Sequence, residues 1–337
     1  MTDPTEPPLS VDRLQKLRLA LRKTVPAQSL GAHLRRKQGQ SLQFRDYRDY
    51  QRGDDIRAVD WRASLRRGDN RDLIVKTFEA EERMTLVLVV DVRAAMRLPV
   101  AAPKLLYALW SMRCLAQVAA EAGDDVILST LFGPQDAAPR KARGRAVPEA
   151  AHRFAHEIWQ SVSAPLAAEP VAKVEALVAR LKPASAVVLL SDLLFADAPG
   201  AVTRLALAAQ QSRRAFFVME LDTLAMEAAA LGLGGAVELG PAKFAAAKPV
   251  PVRLAPVEGR DYGDTPRLLG ADVLGGLRAR VADHHQGLRQ AWARGGLVWP
   301  DPVIWPQGVD MAGMAALFVK SFPPSAIFRG VAARGGL

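Results

Sequence analysis

The sequence predicts an α/β fold, with residues 84–220 forming a mainly parallel sheet covered by helices on both faces. Three observations predict it. Strand-length apolar runs alternate with helix-length stretches, the pattern of parallel strands joined by helical crossovers. One of these runs, residues 186–190, is almost purely apolar, as a strand buried on both faces must be. Residues 104–122 carry Leu105, Leu106, Leu109, Met112, Leu115 and Val118 at helical spacing and stop at Gly123.

The elements follow in order. Residues 84–90 read as the first strand, expected at the centre because it is apolar throughout, and residues 126–132 as the second. The Pro-, Gly- and Arg-rich stretch 133–148 reads as a loop or a weak edge hairpin. Helices are expected over 149–162 and 171–181, the second stopped by Pro183, and the buried strand 186–190 follows. A helix over 201–212 and a strand over 215–219 complete the unit. Ahead of it, residues 11–23 place Leu14, Leu17 and Leu21 on one side of an amphipathic helix, and residues 41–50 look extended. Behind it come Gly- and Pro-rich turns, a helix over 271–294, a strand-like stretch 297–305 broken by Pro300 and Pro302, and a short helix over 311–322. The expected division is a flexible tail 1–10, a basic front segment 11–83, the core 84–220 and a C-terminal extension 221–337.

Composition narrows the function. Half of the 337 residues are apolar and mean hydropathy is +0.03, which fits a folded chain with a substantial core rather than a disordered one. No apolar run approaches the roughly 20 residues a membrane helix needs. The start of the chain carries Asp3, Glu6 and three prolines instead of a secretory signal's basic and apolar stretches, so the cytoplasm is the expected location. Cys114 is the single cysteine; it excludes an internal disulfide or a cysteine-built zinc site and reads as a small buried hydrophobe. The net charge of +10 is concentrated at the front, where residues 10–83 hold 18 Lys/Arg against 11 Asp/Glu, an excess of 18 − 11 = 7. Such an excess suits an anionic partner.

In an open α/β sheet, ligands bind beyond the carboxyl ends of the strands. Asp91 directly follows the first strand, and Ser191 and Asp192 directly follow the buried strand 186–190, so two carboxylates converge on one crevice. Alone, such a pair could hold a hard cation. Other candidates are weaker. His152 and His156 could share a helix face, but no third ligand follows at a recognised spacing, and the pair reads as a surface feature. His284 and His285 are adjacent and point apart on a helix. Gly232 to Gly235 lacks the context of a dinucleotide fingerprint, no phosphate-binding loop is present, and Ser191 has no evident histidine to activate it. No catalytic residue and no cofactor are expected.

The stretch Phe44-Arg45-Asp46, Tyr50, Gly53-Asp54-Asp55, Arg57, Asp60-Trp61 and Ser64 resembles the signature of the bacterial domain-of-unknown-function 58 family, and the order continues through Glu79-Ala80-Glu81. The resemblance covers about residues 30–220 and implies a von Willebrand factor A-like core. Domains of that kind that bind metal open their site with Asp-x-Ser-x-Ser. This chain reads Asp91-Val92-Arg93-Ala94-Ala95, so both hydroxyls are gone and a permanent cation stands at the first serine position. A degenerate site around Asp91, Arg93, Ala95, Ser191 and Asp192, with no metal, is therefore expected. Arg93 either points to solvent or bridges the two carboxylates in place of a metal.

In the signature itself, Gly53-Asp54-Asp55 suits a turn and an aspartate cap, with Trp61 expected to face the core. Its alternating charges can pair with one another, whereas Arg48, Arg52, Arg66, Arg67 and Arg71 have fewer local acids and are the candidate partner contacts. The resemblance implies a non-enzymatic adaptor for a MoxR-type AAA+ ATPase that acts on a client protein. The competing classes are a nucleic-acid-binding protein and a metal-dependent ligand-binding domain or metalloenzyme. Asp46, Asp49, Asp54, Asp55 and Asp60 interrupt any basic stripe and argue against nucleic acid.

Overall fold

The computed structural model describes residues 3–17, 19–20, 24–26, 43–52, 56–66, 73–81, 84–133, 138–161, 172–182, 185–197, 200–211, 215–226, 250–252, 267–269 and 271–328. The chain forms two compact units, one of residues 1–21 with 84–337 and one of residues 22–83.

The larger unit opens with residues 3–10, expected as a tail. They are packed instead: Thr5 and Leu9 are buried, Trp110 Nε1 donates to the Pro4 carbonyl (2.9 Å), and the Arg113 guanidinium donates to the Thr5 carbonyl (2.7 Å). The three prolines reduce the entropy that ordering the segment costs. Helix α1 (Val11–Leu14) is a single turn rather than the predicted 13 residues. Ser10 makes no side-chain cap, and the backbone leaves the helix to pair Leu19 with Phe328, so tertiary pairing overrides the helical periodicity.

In the smaller unit, β1 (Thr24–Pro26), β2 (Gln43–Asp49) and β3 (Ile74–Glu81) form an antiparallel sheet in the order β1-β3-β2. A 3-10 turn (Ile56–Ala58) and helix α2 (Trp61–Arg66) lie between β2 and β3 in sequence.

The main sheet begins with β4 (Thr85–Asp91), every residue of which is buried. After α3 (Lys104–Glu121) come β5 (Asp125–Leu131) and β6 (Arg140–Arg143), then α4 (Val147–Gln160), α5 (Glu175–Val178), β7 (Ser185–Ser191), α6 (Ala201–Ala209) and β8 (Ala215–Asp222). The short strands β9 (Val250–Val252) and β10 (Arg267–Leu269) pair with each other, and α7 (Ala271–Trp292), β11 (Leu297–Val298), β12 (Val303–Ile304) and α8 (Met311–Ser321) follow. The strand order is β11-β8-β7-β4-β5-β6, with β12 also pairing β8. All pairings in this sheet are parallel except β6 on β5, so the predicted weak hairpin is an antiparallel edge strand. β4 lies at the centre, as its uninterrupted apolar sequence predicts.

Alternation along β4 divides the core into two clusters. Leu86, Leu88 and Val90 join one face with α3, α4 and α8, while Val87 and Val89 join the other with α5, α6 and Trp292 of α7. Helix α3 is buried over most of its length, and Cys114 lies within it, its thiol pushed up by burial. Two further departures have a local cause. The 171–181 helix contracts to α5, because Arg180 and Leu181 close three-residue turns onto Leu177 and Val178. The 297–305 stretch splits at Pro300 and Pro302, which lack the N–H a ladder needs. Among the described residues no helix is long and apolar enough to cross a membrane.

Candidate functional site

β4 and β7 are neighbours in parallel register, Val90 opposite Leu190, so Asp91 and Asp192 emerge at the same carboxyl end of the sheet. Both are buried, and Arg93 lies between them, only 2% exposed. Its Nε donates to both Asp91 oxygens (3.1 Å each) and its Nη2 to Asp91 Oδ2 (2.7 Å) and to Asp192 Oδ1. Nη1 donates to the Leu194 carbonyl (2.7 Å). The guanidinium also lies 5.4 and 5.2 Å from the ring centroids of Phe132 and Phe195, which meet edge to face 5.1 Å apart beside it, cation–π contacts that favour arginine over lysine.

Lys104, the first residue of α3 and 3% exposed, donates from Nζ to Asp192 Oδ2 (2.9 Å). Ser191 Oγ donates to Asp91 Oδ2 (2.6 Å) and accepts from the Leu193 amide (2.9 Å), so its hydroxyl orients a carboxylate rather than waiting as a nucleophile. Ala95 lies in a 3-10 turn (Ala94–Arg97) and brings no ligand atom. Burial pushes the Asp192 carboxyl up, but Lys104, Arg93 and the Leu194 amide outweigh it and hold it at about 2. Phe132 and Leu193 are left-handed, with φ of 62° and 59°, at the ends of β5 and β7. A non-glycine residue pays about 1–2 kcal/mol for that conformation. In return, the turn after Leu193 aims the Leu194 carbonyl at Arg93 while its amide donates to Asp192 Oδ1.

The crevice extends to the C-terminal segment. His284 Nε2 lies 2.9 Å from the Leu193 carbonyl and donates to it. Glu220, paired in register with Ser191, contacts His285 Nδ1 through Oε1 (3.1 Å) and accepts from Trp299 Nε1 through Oε2 (2.7 Å). Burial raises the Glu220 carboxyl, and these two hydrogen bonds together with the His285 and Arg289 charges lower it below its ordinary range. His284 and His285 meet different partners, Leu193 and Glu220, although their ring centroids lie 5.9 Å apart. Lys104, Glu220 and the His284 contact were missed by sequence reasoning. Only Lys104 left a signal, as the lone charge at the start of an apolar helix; the others depend on which distant strands pair.

The signature residues play a structural part in the smaller unit. Asp60 Oδ1 accepts from the Arg62 and Ala63 amides (3.1 Å each), capping α2, and its Oδ2 accepts from Tyr47 (3.2 Å). Ser64 is buried; its Oγ donates to the Asp60 carbonyl (2.8 Å) and accepts from the Ile74 amide (2.9 Å), tying α2 to β3. Trp61 does not face the core but is 55% exposed, Leu65 four residues on is exposed too, and the buried residue of this helix is Ser64. Arg57, Arg52 and Arg66 are exposed, Arg48 donates to the Asp49 carbonyl (3.0 Å), and the Tyr50 amide donates to Leu73 (2.7 Å). The side chain of Arg45, and all of Gly53, Asp54, Asp55, Arg67 and Arg71, lie outside the described residues.

A family profile described as "Protein of unknown function DUF58" matches residues 46–221, more than half of the chain. The chain belongs to this family. The match runs from the middle of β2 to the end of β8, so this DUF58 protein's crevice carboxylates Asp91 and Asp192 lie inside it and His284 outside. The chain is also similar to the crystal structure of an aerotolerance-related membrane protein from Bacteroides fragilis with multiple mutations to serines. That similarity has 12% identity and a TM-score of 0.34, and covers 71% of this chain and 100% of that one. No curated protein matches this DUF58 sequence.

Proposed function

We propose that this DUF58 protein is a non-enzymatic adaptor, with a von Willebrand factor A-like core, that works with a MoxR-type AAA+ ATPase in maturing or activating a client protein complex. One observation carries the reading: the crevice where such a fold would hold a cation is filled by the protein's own cations. Asp91 and Asp192 contribute two negative charges, and Arg93 and Lys104 two positive ones, all buried. The cluster is already neutral, so a divalent ion would have to enter a site that offers it no net attraction and would first have to displace Arg93. Ser191 donates its hydroxyl proton to Asp91 and accepts from the Leu193 amide, so it serves to hold that carboxylate. A site locked in this way supports a rigid platform for protein contacts rather than chemistry. The basic excess of residues 10–83 favours an acidic partner surface.

The test is a pull-down with the tagged full chain, with and without ATP, read by mass spectrometry. Retention of an AAA+ ATPase that depends on nucleotide is the expected result, and no such ATPase in either condition would overturn the adaptor reading. Charge reversal at Arg66, Arg67 and Arg71 should slow association and flatten its salt dependence. Unchanged association by a folded triple variant would remove these arginines from the contact surface.

A further inference from the structure

A second cluster lies away from the crevice, where residues 3–6 meet α4. Asp3, Glu6 and His152 each present a ligand atom within 4.8 Å of the others, and His156 stands one helical turn beyond His152. With Arg153 and Glu157, three of these (Asp3, His152 and His156) line an open pocket of about 330 Å³. We propose that Asp3, Glu6, His152 and His156 form a binding site for a divalent cation of the zinc class, which staples the N-terminal segment to α4.

Three features carry the assignment. The first is an unsatisfied ring nitrogen: His152 Nδ1 is a buried atom with no hydrogen bond, although Asp3 Oδ2 is 3.4 Å away. That spacing is the edge of a tetrahedron around zinc, since metal–ligand distances of about 2.0–2.2 Å put neighbouring ligand atoms roughly 3.3–3.6 Å apart. His156 Nδ1 lies 3.8 Å from the other Asp3 oxygen, close to the same edge.

The second is orientation from behind. Asp3 Oδ1 accepts from the Thr5 amide (3.0 Å) and hydroxyl (2.9 Å), and Oδ2 from the same hydroxyl (2.8 Å) and from Arg113 Nη1 (3.3 Å). Arg113 Nη2 donates to Glu6 Oε2. Such outer contacts fix ligating carboxylates in metal sites. The third is charge. Asp3 and Glu6 give −2 and Arg113 +1, so this cluster is net negative before any cation arrives, whereas the Asp91–Asp192 cluster is neutral. Imidazole and carboxylate together suit zinc better than the harder magnesium or calcium.

The experiment titrates the chelator-stripped full chain with Zn²⁺ by calorimetry, alongside His152→Gln and Glu6→Gln. The wild type should bind one equivalent, and each variant should bind at least about 10-fold more weakly, a loss that even outer contacts of a metal site produce. Zinc should also slow hydrogen exchange at the Glu6 amide, which donates to the Asp3 carbonyl (3.0 Å). Glu6 is largely exposed, so its variant tests the site even if His152→Gln perturbs α4. Absence of saturable zinc binding overturns the proposal. So does equal affinity in both folded variants, or Mg²⁺ competing at the zinc concentration.

Discussion

Replacing Arg93 by alanine removes the guanidinium that joins Asp91 to Asp192 and leaves Lys104 and the Leu194 amide to serve Asp192. Among the described residues, Asp91 then keeps the Ser191 hydroxyl and the amide of residue 93 as donors, in a site closed to solvent. Removing one partner of a buried ion pair costs about 3–5 kcal/mol. Protonation sets a ceiling, because neutralising an ordinary aspartyl carboxyl at pH 7 costs about 4 kcal/mol. The expected loss is therefore about 3–4 kcal/mol at pH 7. A carboxylate that takes up a proton on folding makes the variant recover as pH falls. Between pH 7 and 5 the gap to the wild type should narrow by up to about 2–3 kcal/mol. The assay is urea unfolding of both proteins at pH 7 and 5, with and without millimolar Mg²⁺. Magnesium should stabilise the variant alone, by occupying the place the arginine left. A loss below about 1 kcal/mol, a gap that does not change with pH, or magnesium stabilising the wild type would refute the reasoning.

Two further outcomes are expected. The Asp192 carboxyl, held at about 2 against an ordinary 3.8, contributes about 2 kcal/mol of stability above pH 4, lost as pH falls through 2. Lys104→Met removes the larger of the two charges holding it down, so acid unfolding should begin at higher pH; superimposable acid profiles would contradict this. Ser64→Ala leaves the buried Ile74 amide without its acceptor and should cost about 1–3 kcal/mol, with faster hydrogen exchange at that amide; unchanged exchange there would show that Ser64 does not tie α2 to β3.

The parts of this protein that were legible in sequence are those set by local pattern. Residues 84–90 and 186–190 are apolar at nearly every position because both faces of β4 and β7 are covered, and no other environment tolerates such runs in a short strand. Once those strands are parallel neighbours, Asp91 and Asp192 must share one end, and Arg93 two residues beyond Asp91 is within reach of both. Long-range choices left no comparable trace. Which strand β11 and β12 join, and that residues 3–10 lie along α3, depend on partners far away in sequence, Leu297 with Phe216 in one case and Trp110 with Pro4 in the other. Trp61 misled because hydrophobicity alone assigns tryptophan to the interior, whereas the buried position of this short helix goes to Ser64, whose hydroxyl satisfies the Ile74 amide.

The attachment of β11 and β12 to β8 has a consequence for the order of events during synthesis. The segment matched by the family profile ends at residue 221, yet β8 acquires these edge partners only from residues 297–304. Trp292, Trp305, Phe318 and Phe322 are all buried, so both faces of the sheet stay incomplete until those residues have emerged. At ribosomal rates of about 5–20 residues per second, the interval between completing β8 and making β11 lasts roughly 4–15 s. Through that interval β8 lacks these edge partners, and an unpaired edge strand is a template for pairing with another chain. A protein arranged this way reaches its native sheet only late in translation, and a folding helper that arrives early would find β8 as its open strand.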